Sequence, residues 1–416
     1  MKAKKIAHKA MVGGRILRNE GALTFTIKSL QKVQSKVGRK SNQKHSIFIK
    51  AKIEDTLLAD YTVKRPLWKG TKAEKLTFNW LMPPPGKGSG GHMTLFRFIK
   101  ALENAGHECR IYLYAQDGKG PVDNILAAMG DSFPKLRAID TMQWLEHRDD
   151  MLPADGIFAT SWETAYPVFN AKMDAKRFYF VQDFEPYFYP HGSFYSLAEN
   201  TYKFNLFGVT AGGWLASKLK KEYGMQTAHF DFAADHNVYK YENRSERKEV
   251  LVYVRPFTER RGFEMAILSL MRFHQLHPDY TINFLGWDIS DYKIPFPHVN
   301  HKTLEVDELN KLYNKCAAGL VLSFTNMSLL PLELLASGAI PVVNSGDNNA
   351  MVSDNPYIAY AEANPVALAN ALSQAVTRKD VVKHAQNAAK SVNGTSWEKS
   401  GLDVVKIIEE QTRKHE

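Results

Sequence analysis

Short apolar runs alternate with longer amphipathic stretches along the chain from residue 76 onward. The apolar runs have the length of β-strands and carry few polar residues, which is typical of a parallel sheet covered on both faces. The stretches between them repeat apolar residues at the helical period. This alternation predicts an α/β fold. In the first half, the predicted strands are 76–82, 109–114, 156–160, 178–182 and 208–210, with helices after His92 and at 214–223.

A second series of the same kind follows a polar stretch at 240–248. Because 416 residues are too many for one typical hydrophobic core, the two series predict two doubly wound, Rossmann-like domains. The predicted divisions are a basic arm and connector at 1–74, a domain at 75–245, a second domain at 246–394 and a terminal helix at 395–416. In the second domain we expect strands at 250–254, 280–285, 320–323 and 339–344, a short strand or loop at 299–304, and helices at 263–277, 307–315, 329–337, 364–377 and 380–391.

The segment 320–345 concentrates candidate chemistry. A predicted strand, a polar loop, a helix closed by Gly338 and a second strand follow one another, with Glu333 as the one acid in this segment. This order would place backbone N–H groups and a helix N-terminus at the carboxyl edge of a sheet, where phosphates bind. Glu333 could then accept hydrogen bonds from a sugar hydroxyl. An ordinary structural unit with a partly exposed Glu is the alternative.

A glycine-rich loop follows the first predicted strand. Gly90 and Gly91 stand directly before a helix, so another group can approach the backbone closely at the helix N-terminus. The loop does not match G-x-G-x-x-G with an acid about 20 residues later, which disfavours an NAD site. A structural tight turn is the alternative.

Two arginines flank the beginning of the second domain. Arg255 directly follows the strand at 250–254, and Arg261 precedes the helix at 263–277. Both side chains are permanently charged and form bidentate contacts, so they could converge on a diphosphate. A surface turn rich in Arg is the alternative.

Two acids follow the strand at 178–182, in a segment rich in Phe and Tyr. They are Asp183 and Glu185. Aromatic faces pack on sugar rings while carboxylates bind hydroxyls, so the segment is a candidate sugar site. Acids just after a strand are also common turn residues, which leaves a structural aromatic loop as the alternative.

Charge is concentrated at the start of the chain. Residues 1–50 hold 13 Lys or Arg and one acid, a net charge of +12, against +10 for the whole chain. Apolar residues among these cations suit an anionic membrane surface, and a solvated arm folded against the body is the alternative. Nucleic acid is disfavoured because no recognition motif accompanies the charge. With two cysteines, no signal-peptide pattern and no membrane-spanning run, we expect a cytoplasmic protein, peripheral at the inner face of the cell membrane if the arm binds lipid.

The order of these motifs resembles the GT-B glycosyltransferases, and most closely the retaining enzymes of glycosyltransferase family 4. The glycine loop, the Arg pair and P-L-E-L-L-A-S-G-A-I-P-V-V-N-S at 331–345 carry the resemblance. More narrowly, Y-F-V-Q-D-F-E-P-Y-F-Y-P-H-G-S at 179–193 and S-F-T-N-M-S-L-L-P-L-E at 323–333 are similar to the WsaF-type rhamnosyltransferases. That resemblance implies two domains facing across a cleft, a terminal helix crossing back to the first domain, and transfer of rhamnose from dTDP-L-rhamnose to a bacterial surface polysaccharide.

The resemblance also implies roles for individual residues. Glu333 would bind the ribose, Arg255 and Arg261 the diphosphate, and Gly90 and Gly91 the phosphates from the opposite domain. The remaining donor-site residues it implies are Lys302 and Thr303 beside the base, and Thr325, Asn326, Ser328, Leu329 and Leu330 around the sugar.

The chain departs from the family pattern at three places, one of which is a residue inserted between Arg255 and Arg261. The first acid of the family's glutamate pair is replaced by Thr325, so neutral side chains would bind the donor sugar. Where family members often have a His, the chain has Ser161, Trp162 and Glu163. Glu163, Asp183 and Glu185 are therefore the candidates for binding an oligosaccharide acceptor, lipid-linked or free. No metal or other cofactor is expected, since the Arg pair can stabilise the leaving diphosphate.

Two other functions fit the same features. One is a family 4 transferase that uses a UDP- or GDP-linked sugar. The other is a catalytically silent nucleotide-sugar-binding protein with a membrane-docking arm, which the missing first glutamate favours.

Overall fold

The computed structural model describes residues 49–63, 68–86, 89–116, 120–130 and 133–413. Lys50–Glu416 forms one compact unit. The amphipathic arm predicted before residue 49, with its expected membrane contact, lies outside the described residues. No helix in the described part of the chain has the length and apolar character needed to cross a membrane.

The first lobe is a parallel sheet of seven strands in the order β3-β2-β1-β4-β5-β6-β7. Short helix α1 (Ile53–Leu58) precedes the sheet. The strands are β1 (Thr77–Met82), β2 (Glu108–Leu113), β3 (Gln143–Trp144), β4 (Gly156–Ala159), β5 (Lys176–Val181), β6 (Phe207–Ala211) and β7 (Thr227–Phe230). The helices between them are α2 (Gly90–Asn104), α3 (Val122–Met129), α4 (Trp162–Asn170), α5 (Ser193–Asn200) and α6 (Gly213–Tyr223).

The second lobe is a parallel sheet of six strands in the order β10-β9-β8-β11-β12-β13. The strands are β8 (Glu249–Tyr253), β9 (Thr281–Leu285), β10 (Val299–Asn300), β11 (Cys316–Val321), β12 (Ile340–Asn344) and β13 (Ala359–Ala361). Its helices are α7 (Phe263–Leu276), α8 (Val306–Tyr313), α9 (Leu330–Ala336), α10 (Asp347–Ala350), α11 (Pro365–Val376) and α12 (Val381–Ser391). The segment 299–304, expected as a short strand or loop, is a strand over its first two residues and a loop over the rest.

Each sheet has a point where the strand order reverses, between β1 and β4 in the first lobe and between β8 and β11 in the second. In open parallel sheets, ligands bind outside the carboxyl ends of the strands at such a point. The predicted site residues Gly90, Glu163, Arg255 and Thr325 each follow one of these four strands. The topology therefore brings motifs from across the chain to two facing edges.

The final helix, α13 (Trp397–Thr412), packs against the first lobe. Near its end, Glu409 lies 2.9 Å from Nε2 of the buried His107. Near its start, Ser400 Oγ donates a hydrogen bond of 2.8 Å to the carbonyl of Asp231. The chain thus crosses between the lobes twice, after β7 and again before α13.

Candidate active site

A cavity of about 630 Å³ opens between the two lobes, which is a typical size for a small-molecule site. Its walls combine the start of α2, the loop after β10, the start of α9, the connection after β7 and the first turn of α13. The lining residues that matter below are Gly90, Arg97, Asp235, Tyr239, Thr303, Leu329, Glu333 and Trp397. Four of the predicted donor-site residues, Gly90, Thr303, Leu329 and Glu333, therefore share one cavity.

The first turn of α2 presents an open backbone to this cavity. Ser89 caps the helix, since its Oγ accepts a hydrogen bond of 3.5 Å from the N–H of His92. Within the described part of the chain, no atom lies within 4 Å of the position that a Cβ on Gly90 would occupy. The neighbouring Gly91 is more confined, because the Gln182 side chain lies 3.5 Å from its Cβ position. Open N–H groups at a helix N-terminus are suited to a phosphate.

Glu333 lies in the first turn of α9, partly exposed to the cavity but densely surrounded by protein. Desolvation raises the pKa of Glu333 to about 7, against the opposing effects of the positive charge on Arg97 and a hydrogen bond from the Tyr239 hydroxyl. The carboxyl is thus close to its midpoint of ionisation at neutral pH. It can accept hydrogen bonds from ligand hydroxyls more strongly once it is ionised.

Arg97, on α2, contacts both the connection after β7 and the start of α13. Its Nη2 lies 3.0 Å from Oδ2 of Asp235, which joins α2 to the connection between the lobes. Its guanidinium stacks 4.5 Å from the ring centroid of Trp397, at the start of α13. Because both crossings between the lobes contact this one side chain, Arg97 fixes the cavity wall on the first-lobe side.

The predicted arginine pair lies at the carboxyl end of β8. Nη1 of Arg261 donates to Ser323 Oγ at 3.1 Å, just beyond β11. Arg255 is exposed, and its Nε donates to the hydroxyl of Tyr253 at 2.7 Å. Neither arginine is among the residues that line the cavity.

Arg260, which the sequence patterns did not single out, connects this cation cluster to the first lobe. Its guanidinium lies 4.0 Å from the ring centroid of Phe188, and its Nε lies 3.7 Å from Oδ2 of Asp183. Desolvation lowers the pKa of Arg260, Asp183 raises it, and the charges of Arg261 and Arg255 lower it. The three guanidinium groups therefore interact electrostatically in one region, in which Asp183 forms an ion pair with Arg260.

The loop after β11 is fastened to the first lobe by four hydrogen bonds. Thr325 Oγ1 donates to Oδ2 of Asp183 at 2.9 Å, and the N–H of Asn326 donates to Oδ1 of Asp183 at 2.9 Å. The Asn326 side-chain amide donates to the carbonyls of Gln182 at 3.0 Å and Ala211 at 2.9 Å. We call this set the interlobe clasp. Asp183 was predicted to bind the acceptor, but in the clasp it contacts Thr325 and Asn326, which were predicted to bind the donor sugar.

A glycine beside the clasp lets the lobes approach closely. Gly212 has φ +83°, and a Cβ there would lie 3.1 Å from the side chain of Val352, just after α10. A larger residue would carry backbone strain and would make a tight contact with Val352 across the interface. Gly212 therefore permits the contact that brings the two carboxyl edges together.

Glu185 is a buried structural carboxyl. Its Oε2 accepts from the N–H of Trp162 at 2.8 Å and its Oε1 from the hydroxyl of Tyr179 at 2.9 Å. Burial raises the pKa of Glu185 to about 8, and the nearby charge of Glu163 adds to the effect. Both oxygens are therefore engaged, one with the first residue of α4 and the other with β5. Of the three predicted acceptor residues, Glu185 is buried and Asp183 is held in the clasp. Glu163 is partly exposed.

Three remaining predicted residues lie apart from the cavity lining. Lys302 has φ +56°, and its Nζ lies 3.0 Å from Oδ2 of Asp288 on the surface. Leu330 belongs to the hydrophobic core of the second lobe. Ser328 precedes the cavity residue Leu329, and within the described residues its buried Oγ has no hydrogen-bond partner.

Sequence reasoning missed Arg97, Asp235, Tyr239 and Arg260. Arg97 follows Gly90 by seven residues, so the helical period places both on one face of α2 and could have revealed it. Arg260 adjoins Arg261 but carried no separate signal. Asp235 and Tyr239 lie in an irregular connection whose sequence shows no periodicity that would mark them.

Two family models match the chain. The model "WsaF, N-terminal domain" matches residues 85–211, and "WsaF, C-terminal domain" matches residues 248–373. Together they cover more than half of the sequence. A curated relative, the O-antigen biosynthesis protein RfbC of Myxococcus xanthus, is 31% identical over 335 residues. The alignment covers 77% of this chain and 26% of that protein, so the chain spans about a quarter of the length of the relative.

Solved structures with low sequence identity share the fold. Anabaena HepE in complex with UDP-glucose aligns with TM-score 0.61 at 14% identity, covering 80% of this chain and 100% of that one. A glycosyltransferase from Rickettsia africae aligns with TM-score 0.59 at 15% identity, covering 82% and 100%. WaaG, a glycosyltransferase involved in lipopolysaccharide biosynthesis, aligns with TM-score 0.55 at 13% identity, covering 80% and 99%. The shared architecture is GT-B, which confirms the fold expected from the sequence.

The chain has two facing Rossmann-like lobes, and models of the N-terminal and C-terminal domains of one family both match it. The chain belongs to the WsaF family of glycosyltransferases and has the GT-B fold.

Proposed function

We propose that this protein transfers L-rhamnose from dTDP-L-rhamnose to a growing bacterial surface polysaccharide of the S-layer glycan or O-antigen type. Family membership supports glycosyl transfer, and the name of the Myxococcus relative supports a surface polysaccharide as the product. The observation that carries the proposal is the cavity in which Gly90 of one lobe and Glu333 of the other line the same space. A donor bound there would contact both lobes.

The nucleotide would occupy this cavity in a defined orientation. Glu333 would accept hydrogen bonds from the ribose, with Thr303 on the neighbouring wall beside the base. The open backbone at Gly90 would receive the phosphates at the positive end of α2. Arg97 would keep Glu333 partly ionised and hold the wall in place, through its charge and its pairing with Asp235.

The arginines would act on the leaving diphosphate. Negative charge grows on that group as the bond to the sugar breaks, so guanidinium groups stabilise the transition state more than the bound donor. Arg255 and Arg261 are the predicted pair, and Arg260 adds a third charge in the same region. Loss of one such donor typically lowers kcat by about 10² to 10³. A cluster of three guanidiniums supports the proposal that transfer proceeds without a metal ion.

The acceptor would bind on the first-lobe side of the cleft, beside Glu163. Glu185 has both carboxylate oxygens engaged, and Asp183 is held by the clasp, so neither is placed to take a proton directly. Retention of configuration would follow if the leaving phosphate itself accepts the proton of the acceptor hydroxyl. Glu163 would then orient the acceptor through hydrogen bonds to its hydroxyls.

A donor comparison tests the proposal. We expect dTDP to raise the melting temperature more than UDP or GDP, because a ligand at 100 times its Kd adds about 2.7 kcal/mol to the free energy of unfolding. We also expect dTDP-L-rhamnose, but not UDP-glucose, to label a rhamnosylated acceptor in a transfer assay. Stabilisation by UDP or GDP without stabilisation by dTDP would reject the donor assignment and leave the family assignment standing.

Two alternatives each have a specific observation in their favour. Anabaena HepE was solved with UDP-glucose, which favours a UDP-sugar donor in a related fold. Thr325 stands where the family pattern has an acid and is fully engaged in the clasp, which favours a silent nucleotide-sugar-binding protein. Donor binding without transfer to any rhamnosylated acceptor would favour the silent protein.

We also propose that the protein acts at the inner face of the cell membrane on an acceptor that is lipid-linked. The net charge of +12 over residues 1–50 supports attraction to anionic lipids. Directly after this segment, Leu57, Leu58 and Val63 are exposed over more than half of their surfaces. Buried apolar area and electrostatic attraction to anionic lipids both strengthen peripheral membrane binding, and this part of the chain offers both.

A further inference from the structure

We infer that Asp183 is a positioning residue that completes the donor-sugar pocket from the opposite lobe. This inference rests on the proposed function and assigns Asp183 to the donor rather than to the acceptor. Asp183 follows β5 in the first lobe, yet both of its carboxylate oxygens accept hydrogen bonds from the loop after β11 in the second lobe. The sugar-binding loop is therefore fully held only when the lobes are closed.

The second lobe holds its own side of this loop. The Asn349 side-chain amide donates to the Ser323 carbonyl at 3.0 Å, and Oγ of Ser323 donates to the Asn326 carbonyl at 2.6 Å. The N–H of Met327 donates to the carbonyl of Asn348 at 3.2 Å. The fold of the loop thus does not depend on Asp183 alone. The contribution of Asp183 is to fix the positions of Thr325 and Asn326 relative to the first lobe.

Buried polar atoms in the loop indicate a ligand. Within the described residues, Asn326 Oδ1 and Ser328 Oγ are buried and have no hydrogen-bond partner. Buried polar atoms in native proteins are nearly always paired, and leaving one unpaired costs about 1 to 3 kcal/mol. Asn326 is 2% exposed, and both of its amide hydrogens are already donated to the first lobe. A sugar hydroxyl can donate to Asn326 Oδ1 and can exchange a hydrogen bond with Ser328 Oγ.

The charges around Asp183 fit this role. Burial raises the pKa of Asp183, while the charges of Arg261 and Arg260 and the hydrogen bonds from Asn326 and Thr325 lower it. Arg260 lies 3.7 Å from the carboxylate through its Nε. Asp183 therefore connects the cations proposed for the diphosphate to the loop proposed for the sugar. Closure of the lobes would align both halves of the donor at once.

The test compares nucleotide with nucleotide sugar. We expect Asp183→Ala to bind dTDP within about twofold of the unmodified protein and to bind dTDP-L-rhamnose at least tenfold more weakly. UDP and UDP-glucose serve as a second pair of probes. A defect in folding would instead weaken both members of a pair and lower the melting temperature. Equal affinity of Asp183→Ala and the unmodified protein for the nucleotide sugar would overturn the inference.

Two substitutions on the other lobe sharpen the result. Thr325→Val removes only the hydrogen bond to Asp183 and should give the same selective loss, whereas Thr325→Ser keeps the hydroxyl and should restore binding. The loss in the double variant should be smaller than the sum of the losses in Asp183→Ala and Thr325→Val, because both substitutions remove the hydrogen bond between these two residues. Additive effects would overturn the coupling. Asp231→Ala, at a carboxylate that is 80% exposed, is the control.

Failure of the proposed function would give a different outcome. If the unmodified protein bound none of these nucleotides, both proposals would fall together. If it bound dTDP and dTDP-L-rhamnose equally well, the sugar pocket would be rejected while the nucleotide site remained. If transfer occurred with an unchanged donor KM in Asp183→Ala, the glycosyltransferase would stand and the role of Asp183 would not.

Discussion

Glu333 is an ionisable group whose charge changes near neutral pH, because desolvation raises its pKa to about 7 from an ordinary value of 4.5. Between these two values the folded state binds more protons than the unfolded state, so the contribution of Glu333 to stability falls as pH rises through this window. The ionised form is nevertheless the better acceptor for ribose hydroxyls. The same carboxyl therefore opposes folding and favours binding as the pH increases.

A pH series on donor binding tests this residue. We expect affinity for dTDP-L-rhamnose to rise by up to about tenfold between pH 6 and pH 8, as a carboxyl with a pKa of about 7 ionises. The intact nucleotide sugar is the right probe, because its diphosphate does not titrate in this range. Glu333→Gln should bind more weakly with a flat profile, measured by calorimetry. A sloping profile in Glu333→Gln would assign the titration to another group.

The start of α2 is the element on which phosphate binding would depend. Gly90 is the first residue of the helix, and the space beside it is open. Alanine is a better helix former than glycine by about 0.5 to 1 kcal/mol, so Gly90→Ala should keep or slightly raise the melting temperature. If a phosphate lies against this backbone, the added methyl group should weaken nucleotide affinity at least tenfold. Stability and binding would thus change in opposite directions.

Gly120 provides the matched control for that substitution. Among the described residues it likewise has no neighbour within 4 Å of its Cβ position, and its backbone does not require glycine. Gly120→Ala should leave both melting temperature and nucleotide affinity unchanged, as measured by thermal unfolding and calorimetry. Unaltered affinity in Gly90→Ala would place the phosphates away from the start of α2.

At the scale of the whole molecule, exposed apolar residues lie close in sequence to the basic segment. Leu57, Leu58 and Val63 are exposed by 80%, 54% and 61%, and they follow soon after the basic first 50 residues. Exposed apolar side chains beside a basic segment suit contact with an anionic membrane. Replacing all three by Ser should weaken binding of the full chain to vesicles containing anionic phosphatidylglycerol by at least tenfold, measured by co-sedimentation. Activity on a soluble acceptor should stay the same.

The chain offers a closely matched control for this surface. Leu276, Leu402 and Val366 are exposed to a similar degree elsewhere in the molecule. Their replacement by Ser should not alter vesicle binding. Added salt should weaken binding of the unmodified protein, because the charge of the first 50 residues would be screened. Equal binding of the two triple variants would exclude the apolar surface as the membrane contact.

The elements of the fold followed from sequence because their signals are local. A buried parallel strand needs a short apolar run, and a covering helix needs apolar residues at the helical period. The expected strand at 339–344 is therefore found at Ile340–Asn344, and the expected helix at 263–277 at Phe263–Leu276. α3 and α5 are among the helices that were not predicted, since α3 is largely uncovered and α5 begins at the end of the aromatic segment.

Some site residues could be selected from the sequence, whereas the contacts that occupy others are visible only in the structure. Motif order alone selected Gly90 and Glu333, and the structure places both in one cavity although they come from different lobes. The sequence could not show that Thr325 would donate a hydrogen bond to Asp183, which lies 142 residues away. It also could not show that Glu185 would accept one from the N–H of Trp162. Residue type and spacing determined which groups are available. Packing of the lobes decided which remain free for a ligand, because burial and hydrogen bonding between distant segments depend on how two finished sheets come together.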